Sequence, residues 1–277
     1  MKKLLIIIFI AALASACKSQ DELQSQYNLA QELFKKREYF DAVTELKRLN
    51  FFDSTNQFSF QSCLLMGKAH KAGAMLNDAV HNFTMAGIFS RTDEEFYEAE
   101  IELIRVNILR RTSSQAHKII DRLLLDERFI SKKDELNYWK GWAYIFEDDW
   151  VNAADLFSKV SENHELTNFC DSINDQLYSA TLAKLLSVFI PGAGQIYTGN
   201  YLNGIFSLGW NVFAGWLSIN SFAEERIFDG LVAANFLWLR FYIGGINNAQ
   251  KFAEEKNLAI TNNALDYLQH KYGGLKP

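Results

Sequence analysis

Proline is nearly absent from this chain of 277 residues, which contains only Pro191 and Pro277. Because proline interrupts helices, its scarcity leaves almost the whole chain free to be helical, and we predict an all-α protein. Cysteine is scarce too, with three residues, so the chain has no disulfide framework of the kind that staples small secreted domains. We expect Cys63 and Cys170 to stay unpaired, with Cys63 buried as a small apolar side chain.

Patterns typical of catalysis and ligand binding are missing as well. The sequence has no lysine-containing phosphate loop, no nucleophile elbow and no isolated pair of acidic residues. Its histidines are neither paired at helical spacing nor close to a cysteine that would complete a zinc site; they are His70, His81, His117, His164 and His270. The net charge is −5, and acidic and basic residues are mixed without a basic stripe. We therefore expect no enzyme activity, no cofactor, no metal and no nucleic-acid partner.

What the sequence does contain is a repeat of 37 residues, marked by Ala42, Ala79, Ala116 and Ala153. Apolar residues follow each alanine four and seven positions later, which is the spacing of one helix face. A second helical pattern precedes each alanine by twelve positions, at Ala30, Gly67, Ile104 and Gly141. Neither helix of such a pair could bury its apolar stripe alone, so we expect the four pairs to stack.

This pattern resembles tetratricopeptide repeats. The resemblance rests on small and large residues at matching positions, namely Gly67, Ala79 and Phe83, and Gly141, Ala153 and Phe157. Two features differ: the family period is about 34 residues, and Ile104 stands where a small residue is usual. We expect longer loops and a looser third pair. The resemblance implies a helical solenoid over residues 27–163 and no particular ligand; a plain helical bundle with accidental periodicity is the alternative.

The N-terminus has the pattern of an export signal. Two lysines precede the apolar run Leu4–Leu13, which is too short for a permanent membrane span, and we assign residues 1–16 to a signal peptide. Its end resembles a bacterial lipoprotein signal, although Ala14 stands where leucine is usual. The resemblance implies that Cys17 is acylated and that residues 17–26 form a lipid-anchored linker. Simple secretion is the alternative, and either reading places the repeats outside the cytoplasm.

The composition changes after the repeats. A polar stretch at 164–178 predicts a linker or capping helix, and residues 179–257 form a hydrophobic region. Tyr201–Ala223 carries no charge and is long enough to cross a hydrocarbon core of about 30 Å, while Gly230–Ile246 is interrupted only by Arg240. We predict a membrane helical hairpin, followed by a tail helix at 258–277. A soluble hydrophobic domain that caps the solenoid is the alternative.

A turn motif precedes the hairpin. It consists of Ser187, Pro191, Gly192, Gly194, Gln195, Tyr197 and Gly199, and Phe241, Tyr242, Gly244 and Ala249 close the region. This combination resembles small bacterial membrane domains with an SxxxPGxGQxYxG turn and two hydrophobic helices, which implies membrane location rather than activity. We expect Pro191 to end a helix and the glycines to permit a close reversal. We expect Gln195 and Tyr197 to supply donors at the membrane surface.

Two further stretches have alternative interpretations. The aromatic residues Tyr138, Trp139, Trp142, Tyr144, Phe146 and Trp150 could line a peptide groove, but their helical spacing favours a core. The acidic stretch Arg91–Glu102 is interpreted as a solvated helix start whose carboxylates are favoured by the helix dipole.

Together these features predict a non-catalytic scaffold of the bacterial cell envelope. Its solenoid would bind a protein or peptide on the concave face, and its hairpin would contact membrane lipid. The alternative is an assembly or secretion factor resembling the repeat-containing lipoproteins that assist outer-membrane protein insertion. Outer membranes favour β-barrels over helical spans, so the hairpin favours the inner membrane.

Overall fold

The computed structural model describes residues 21–277, and all regular structure within that range is helical. The predicted all-α class is therefore confirmed. The predicted signal peptide and the lipidation site Cys17 lie outside the described residues. Two compact units divide the chain after Asn168, and the second unit comprises Phe169–Lys276.

The first unit is a series of short helices in which neighbours along the chain pack together. Its helices are 21–35 (α1), Tyr39–Phe52 (α2), Ser59–Ala72 (α3), Leu76–Phe89 (α4), Asp93–Leu109 (α5), Ser113–Leu124 (α6), Lys133–Phe146 (α7) and Trp150–Val160 (α8), with a 3₁₀ turn at Glu127–Lys132 before α7. From α2 to α8 each helix contacts the next, and α5 also contacts α3 and α7. Contacts with the next and next-but-one helix are typical of stacked helix pairs.

The small residues of the repeat lie where a phenylalanine ring meets a helix backbone. A Cβ atom added to Gly67 would lie 2.4 Å from the Phe83 ring, and one added to Gly141 would lie 2.8 Å from the Phe157 ring. Each glycine therefore leaves the volume that its partner ring fills. The alanines of the repeat are fully buried as well: Ala42, Ala79, Ala116 and Ala153.

The third helix pair fills the same space with different side chains. Ile104 occupies the small position and is fully buried, and the position that holds phenylalanine in two other pairs is the equally buried Ile120. Two medium side chains thus replace a glycine and a phenylalanine. Volume-conserving exchanges of this kind are well tolerated in cores, which explains how Ile104 is accommodated at this position.

The second unit contains one long helix and several shorter ones. After Glu165–Gln176 (α9), which spans the division between the units, come Ala180–Phe189 (α10), Ala193–Tyr197 (α11), Tyr201–Ala223 (α12), Ile227–Val232 (α13), a π-helical segment Ala233–Leu239 and Arg240–His270 (α14). The last three elements are continuous, and α14 passes through residue 257 without a break. Both α10 and α12 pack against α14, and α11 contacts all three.

The packed centre of the second unit is built from small residues. Ala183, Ala249 and Ala253 are fully buried, with Tyr178 and Tyr197 packed against them. Alanine at a helix contact lets the two backbones approach closely, so this unit is held by near-backbone contact rather than by large apolar side chains.

Candidate functional site

In the second unit, the usual distribution of polar and apolar side chains is reversed. Between Leu182 and Ile243, 25 large apolar side chains are exposed, including Phe189 (82% exposed), Phe206 (75%) and Phe228 (77%). We call these exposed side chains the apolar surface. The side chains that this unit buries include polar ones: Ser187, Gln195, Thr198, Asn211, Ser218, Ser221 and Thr261. Soluble proteins rarely expose apolar patches this extensive, whereas a lipid environment favours them.

One helical run of the described chain, Ile227–His270, is long and apolar enough to cross a membrane. Its most apolar 18-residue window has a mean hydropathy of 1.2, and only 11% of that window is buried. Burial this low distinguishes the run from the core helix of a soluble protein. Helix α12 is predicted from the sequence to be a second span, but no 18-residue window within it reaches a mean hydropathy of 1.2.

The glycines of the turn motif bring three helices into backbone contact. Gly192 adopts a φ of 94°, and a Cβ atom there would lie 2.1 Å from the carbonyl oxygen of Gly204 in α12. At Gly194 a Cβ atom would lie 1.9 Å from the carbonyl oxygen of Ala183 in α10. Any side chain at either position would overlap backbone atoms that cannot rotate away, so the close reversal requires glycine.

A buried hydrogen-bond network connects the motif to α14. The Ser187 hydroxyl accepts from the Gly194 backbone N–H (3.0 Å) and donates to the Gln195 side-chain oxygen (3.1 Å). The Gln195 amide then donates to the Gly245 carbonyl (2.7 Å). Gln195 is only 2% exposed, so the prediction that it supplies a donor at the surface is wrong: its amide is used to join α11 to α14.

Two tyrosines extend this set of cross-links. The Tyr197 hydroxyl accepts from the Ser179 backbone N–H (3.1 Å), and the Tyr242 hydroxyl donates to the Val188 carbonyl (2.6 Å) near the end of α10. Pro191 follows Ile190, the residue that caps α10. The motif residues thus satisfy one another's backbone and side-chain groups, and they build a structural junction between α10, α11 and α14.

Asn257 belongs to the same junction, although the sequence analysis does not single it out. Its amide donates to the Tyr178 carbonyl and its side-chain oxygen accepts from the Tyr178 backbone N–H, both at 2.8 Å. A signal for this pairing is absent from the local sequence because the two residues are 79 positions apart.

No known family model, curated protein or solved structure matches this chain. The resemblances to tetratricopeptide repeats and to small membrane domains therefore rest on the motif residues of the sequence.

In the first unit, the odd-numbered helices carry a series of charged contacts. Lys68 pairs with Glu98 (2.8 Å), and Lys71 pairs with Glu102 (2.6 Å), which joins α3 to α5. Next to them is a groove of about 450 Å³ that we call the α5–α7 groove; its lining includes Asp93, Glu94, Tyr97, Glu98, Glu102, Arg128, Lys132 and Glu135. This lining is mostly acidic, with aromatic and basic groups between the carboxylates.

The interpretation of Arg91–Glu102 as a solvated helix start holds for Asp93, Glu94 and Glu98, which are exposed, and is wrong for Glu100 and Glu102. In the first turn, the Thr92 hydroxyl accepts from the Glu95 N–H, and the Glu95 carboxylate accepts from the Arg91 N–H. Glu100 and Glu102, which lie up to two turns further along the helix, are buried and ion-paired. The physical cause is that basic residues on other helices compensate these carboxylates: Lys71 of α3 pairs with Glu102, and Arg122 of α6 pairs with Glu100.

Burial changes the titration of several groups in the first unit. It raises the pKa of the Glu100 carboxyl above its ordinary value of 4.5, although Arg122 acts in the opposite direction. It lowers the pKa of the Lys71 ammonium, which Glu102 partly offsets. Burial also raises the pKa of the Cys63 thiol to about 11. Cys63 and, in the second unit, Cys170 are buried and free, as expected, and the raised pKa makes the Cys63 thiol unreactive at neutral pH.

The aromatic residues of α7 and α8 belong to the core. Trp139, Trp142 and Trp150 are each 2% exposed or less, so they are not available to line a peptide groove. Among residues 21–277, no group of three or more His, Cys, Asp and Glu side chains is arranged to hold a metal ion.

Proposed function

We propose that this chain is a non-catalytic scaffold of the bacterial cell envelope. Its tetratricopeptide-like solenoid binds a protein or peptide, and its second unit is held in a membrane, the inner membrane rather than the outer. The observation that carries the proposal is the reversed polarity of the second unit. Burial of a large apolar side chain contributes roughly 1.5–3 kcal/mol, so moving the apolar surface from water into lipid is favourable by an amount on the order of tens of kcal/mol.

The geometry of α12 supports a hairpin with two spans. Its 23 residues extend about 34 Å at 1.5 Å per residue, enough for a hydrocarbon core of about 30 Å. Its polar side chains Asn211, Ser218 and Ser221 are buried, and each donates to a carbonyl one turn earlier in the same helix. Mean hydropathy counts these residues equally with the exposed ones, so it understates how apolar the lipid-facing side of α12 is.

The α5–α7 groove supports the binding role of the solenoid. In tetratricopeptide repeats, the first helices of successive pairs line the concave face, and α5 and α7 hold that position here. An acidic groove with aromatic walls favours a partner segment that carries lysine or arginine. In-cell photocrosslinking from position 94, which also lines the groove, tests this role, and the charge-reversing change Glu98→Lys is expected to abolish the crosslink.

Membrane attachment by the second unit is tested with the variant Cys17→Ala, which lacks the proposed lipid. After alkaline carbonate treatment, the full-length variant is expected to stay in the membrane pellet, because the hairpin alone is sufficient for attachment. Density-gradient separation of the two membranes then tests for the inner membrane. Release of Cys17→Ala into the supernatant would show that the lipid, and not the hairpin, holds the protein.

A further inference from the structure

A cavity of about 510 Å³ lies between α12 and α14 in the second unit. Its lining combines one cationic side chain, Arg240, with the amides of Asn203, Asn211 and Asn248, and no Asp or Glu lines it. Within a surface that is otherwise apolar, a cationic cavity without a carboxylate is unusual, because charged groups inside membranes normally pair with each other.

Asn211 has a buried acceptor without a partner. The residue is 5% exposed, and its amide nitrogen donates to the Ser207 carbonyl at 2.8 Å. Its side-chain oxygen has no hydrogen-bond partner in the described part of the chain. Buried acceptors are nearly always satisfied, so an occupant of this cavity is expected to supply a donor such as a hydroxyl group.

Arg240 has a charge without a counter-ion among residues 21–277. The ion pairs on either side of it along the chain join Arg226 to Glu224 and Asp229, and Lys251 to Glu255. A guanidinium that lines a cavity without an acidic neighbour is ready to bind a phosphate or carboxylate from outside the chain.

The walls of the cavity continue into the apolar surface. Phe206 and Phe241 line it and are 75% and 50% exposed. Trp210 forms another wall, and its indole N–H donates to the Leu237 carbonyl (3.0 Å) in the π-helical segment just before Arg240. Single π-helical turns occur frequently at functional sites. An occupant therefore meets a cation, a hydrogen-bond acceptor and exposed rings together.

We propose that this cavity binds the headgroup of an anionic phospholipid. Its phosphate pairs with Arg240, a headgroup hydroxyl donates to Asn211, and the acyl chains lie on Phe206 and Phe241. The depth fits, because Asn203 lies near the start of α12 and Asn211 about 12 Å further along it, which is the region where headgroup and hydrocarbon meet. The inference rests on the proposed membrane location of this unit.

The test measures lipid binding to the full-length chain in detergent by native mass spectrometry. Phosphatidylglycerol and phosphatidylcholine with identical acyl chains are titrated separately. We expect phosphatidylglycerol to bind at least roughly fivefold more tightly, the contribution of one basic residue near anionic lipid. Arg240→Gln is expected to remove this preference and Arg240→Lys to retain it. Arg226→Gln is the matched control: it removes one positive charge outside the cavity and is expected to retain the preference.

Two further measurements test whether the bound phosphate belongs to a lipid or to a free anion, and whether a headgroup hydroxyl contributes to binding. Excess inorganic phosphate or glycerol phosphate is expected to leave lipid binding unchanged, because neither contacts the aromatic walls. Asn211→Leu is expected to remove the preference for phosphatidylglycerol over phosphatidylmethanol, which lacks the glycerol hydroxyls. This second variant keeps the proposal testable if Arg240→Gln fails to fold.

A wild-type chain without lipid preference, or a preference that survives Arg240→Gln, would overturn the inference. Displacement of the lipid by free phosphate would reassign the cavity to a soluble anion. Carbonate extraction of the Cys17→Ala chain with Arg240 intact distinguishes the cavity from the membrane location. If this chain stays in the membrane and shows no lipid preference, only the cavity is refuted, whereas its release refutes the membrane location itself.

Discussion

The two units of this protein are both helical, yet they distribute their side chains in opposite ways. The first buries large apolar groups such as Leu46 and Phe157 and exposes most of its charges. The second buries Gln195 and Ser187 and exposes Phe189 and Phe206. A helix satisfies its backbone hydrogen bonds equally well in water and in lipid, so secondary structure alone does not distinguish the two units. They are distinguished by which side chains are buried and which are exposed.

The units also differ in what holds their helices together. In the first, a ring fills the space over a glycine, as Phe83 does at Gly67, and the gain comes from removing apolar surface from water. In the second, Gly192 and Gly194 bring backbones together and hydrogen bonds from Gln195 join the helices. In the membrane location that we propose for the second unit, lipid tails are as apolar as leucine, so burying apolar side chains gives little driving force, and close packing and polar contacts take its place.

The largest loss of stability is expected when a glycine in backbone contact, rather than one in contact with a side chain, is replaced by alanine. Gly194→Ala places a methyl group on the Ala183 carbonyl, which cannot move without breaking α10, and we expect the hairpin junction to lose its fold. Gly67→Ala meets only the Phe83 ring, which can shift, and we expect a loss of about 1–3 kcal/mol.

Proteolysis of the detergent-solubilised full-length chain measures the first change, and thermal unfolding measures the second. A tolerated Gly194→Ala, with the same protease resistance as wild type, would contradict the backbone-contact account of the turn motif.

A smaller but still large effect is expected from placing charge on the apolar surface. Val212 and Ile219 are 65% and 64% exposed on α12. A lysine near the middle of a membrane span costs about 2.5–3.5 kcal/mol on insertion scales, so Val212→Lys with Ile219→Lys is expected to reduce membrane insertion strongly. As the control, Phe51→Lys with Ile88→Lys changes two apolar residues of the first unit that are 82% and 68% exposed.

Membrane-integrated protein is quantified by carbonate extraction in a Cys17→Ala background for both double variants. We expect a loss only for the pair in α12. Equal behaviour of the two double variants would mean that the apolar surface does not contact lipid.

The next largest effect is expected from enlarging the small buried residues of the repeat. Ala153 is fully buried at a helix contact, so Ala153→Leu, and equally Ala79→Leu, is expected to overpack the core and to lower the free energy of unfolding by about 1–3 kcal/mol. Ala72→Leu makes the same exchange at an exposed helical position and is expected to change little. Thermal melts that fail to separate the buried from the exposed exchange would show that the repeat alignment is wrong.

The smallest effect concerns the buried carboxylate Glu100. Burial raises its pKa above 4.5, so the folded first unit binds the proton more tightly than the unfolded chain does. The resulting stabilisation is fully present below about pH 4.5 and is lost as the pH rises through the raised pKa. Glu100→Gln keeps a neutral group at this position and is therefore expected to reduce this loss, by an amount of about 1 kcal/mol or less.

Melting temperatures of the wild type and Glu100→Gln, measured between acidic and neutral pH, test the sign. The difference should grow in favour of the variant as the pH rises. Glu162→Gln changes an exposed residue and should give a difference in melting temperature that does not vary with pH. A Glu100→Gln chain that becomes less stable than wild type towards neutral pH would mean that the ion pair with Arg122 outweighs the effect of burial.

Features that depend on residues close together in sequence can be predicted from the sequence alone. The scarcity of proline predicted the all-α class, and the 37-residue spacing identified Gly67, Phe83, Gly141 and Phe157 as a set. In each case, the relevant distance is a fixed number of helical turns, so the spacing itself carries the information.

Residues that depend on a distant partner could not be interpreted in this way. Glu102 is acidic and lies in an acidic stretch, yet it is buried because Lys71 and Arg105 compensate it. The turn motif is recognisable locally, but the direction of Gln195 depends on the Gly245 carbonyl, 50 positions away. Local composition describes what a side chain is, and it does not describe which groups surround it.

The sequence by itself therefore determined the helical class, the period of the first unit and the presence of an apolar region after the repeats. Each of these is a property of composition or of short-range spacing. Only the tertiary structure decided which side of α12 faces outward. It also decided that Arg240 and the side-chain oxygen of Asn211, which has no hydrogen-bond partner among residues 21–277, line the same cavity. The reason is physical: burial and pairing are properties of several chain segments together, and the free energy of a polar group is set by the neighbours that the fold provides.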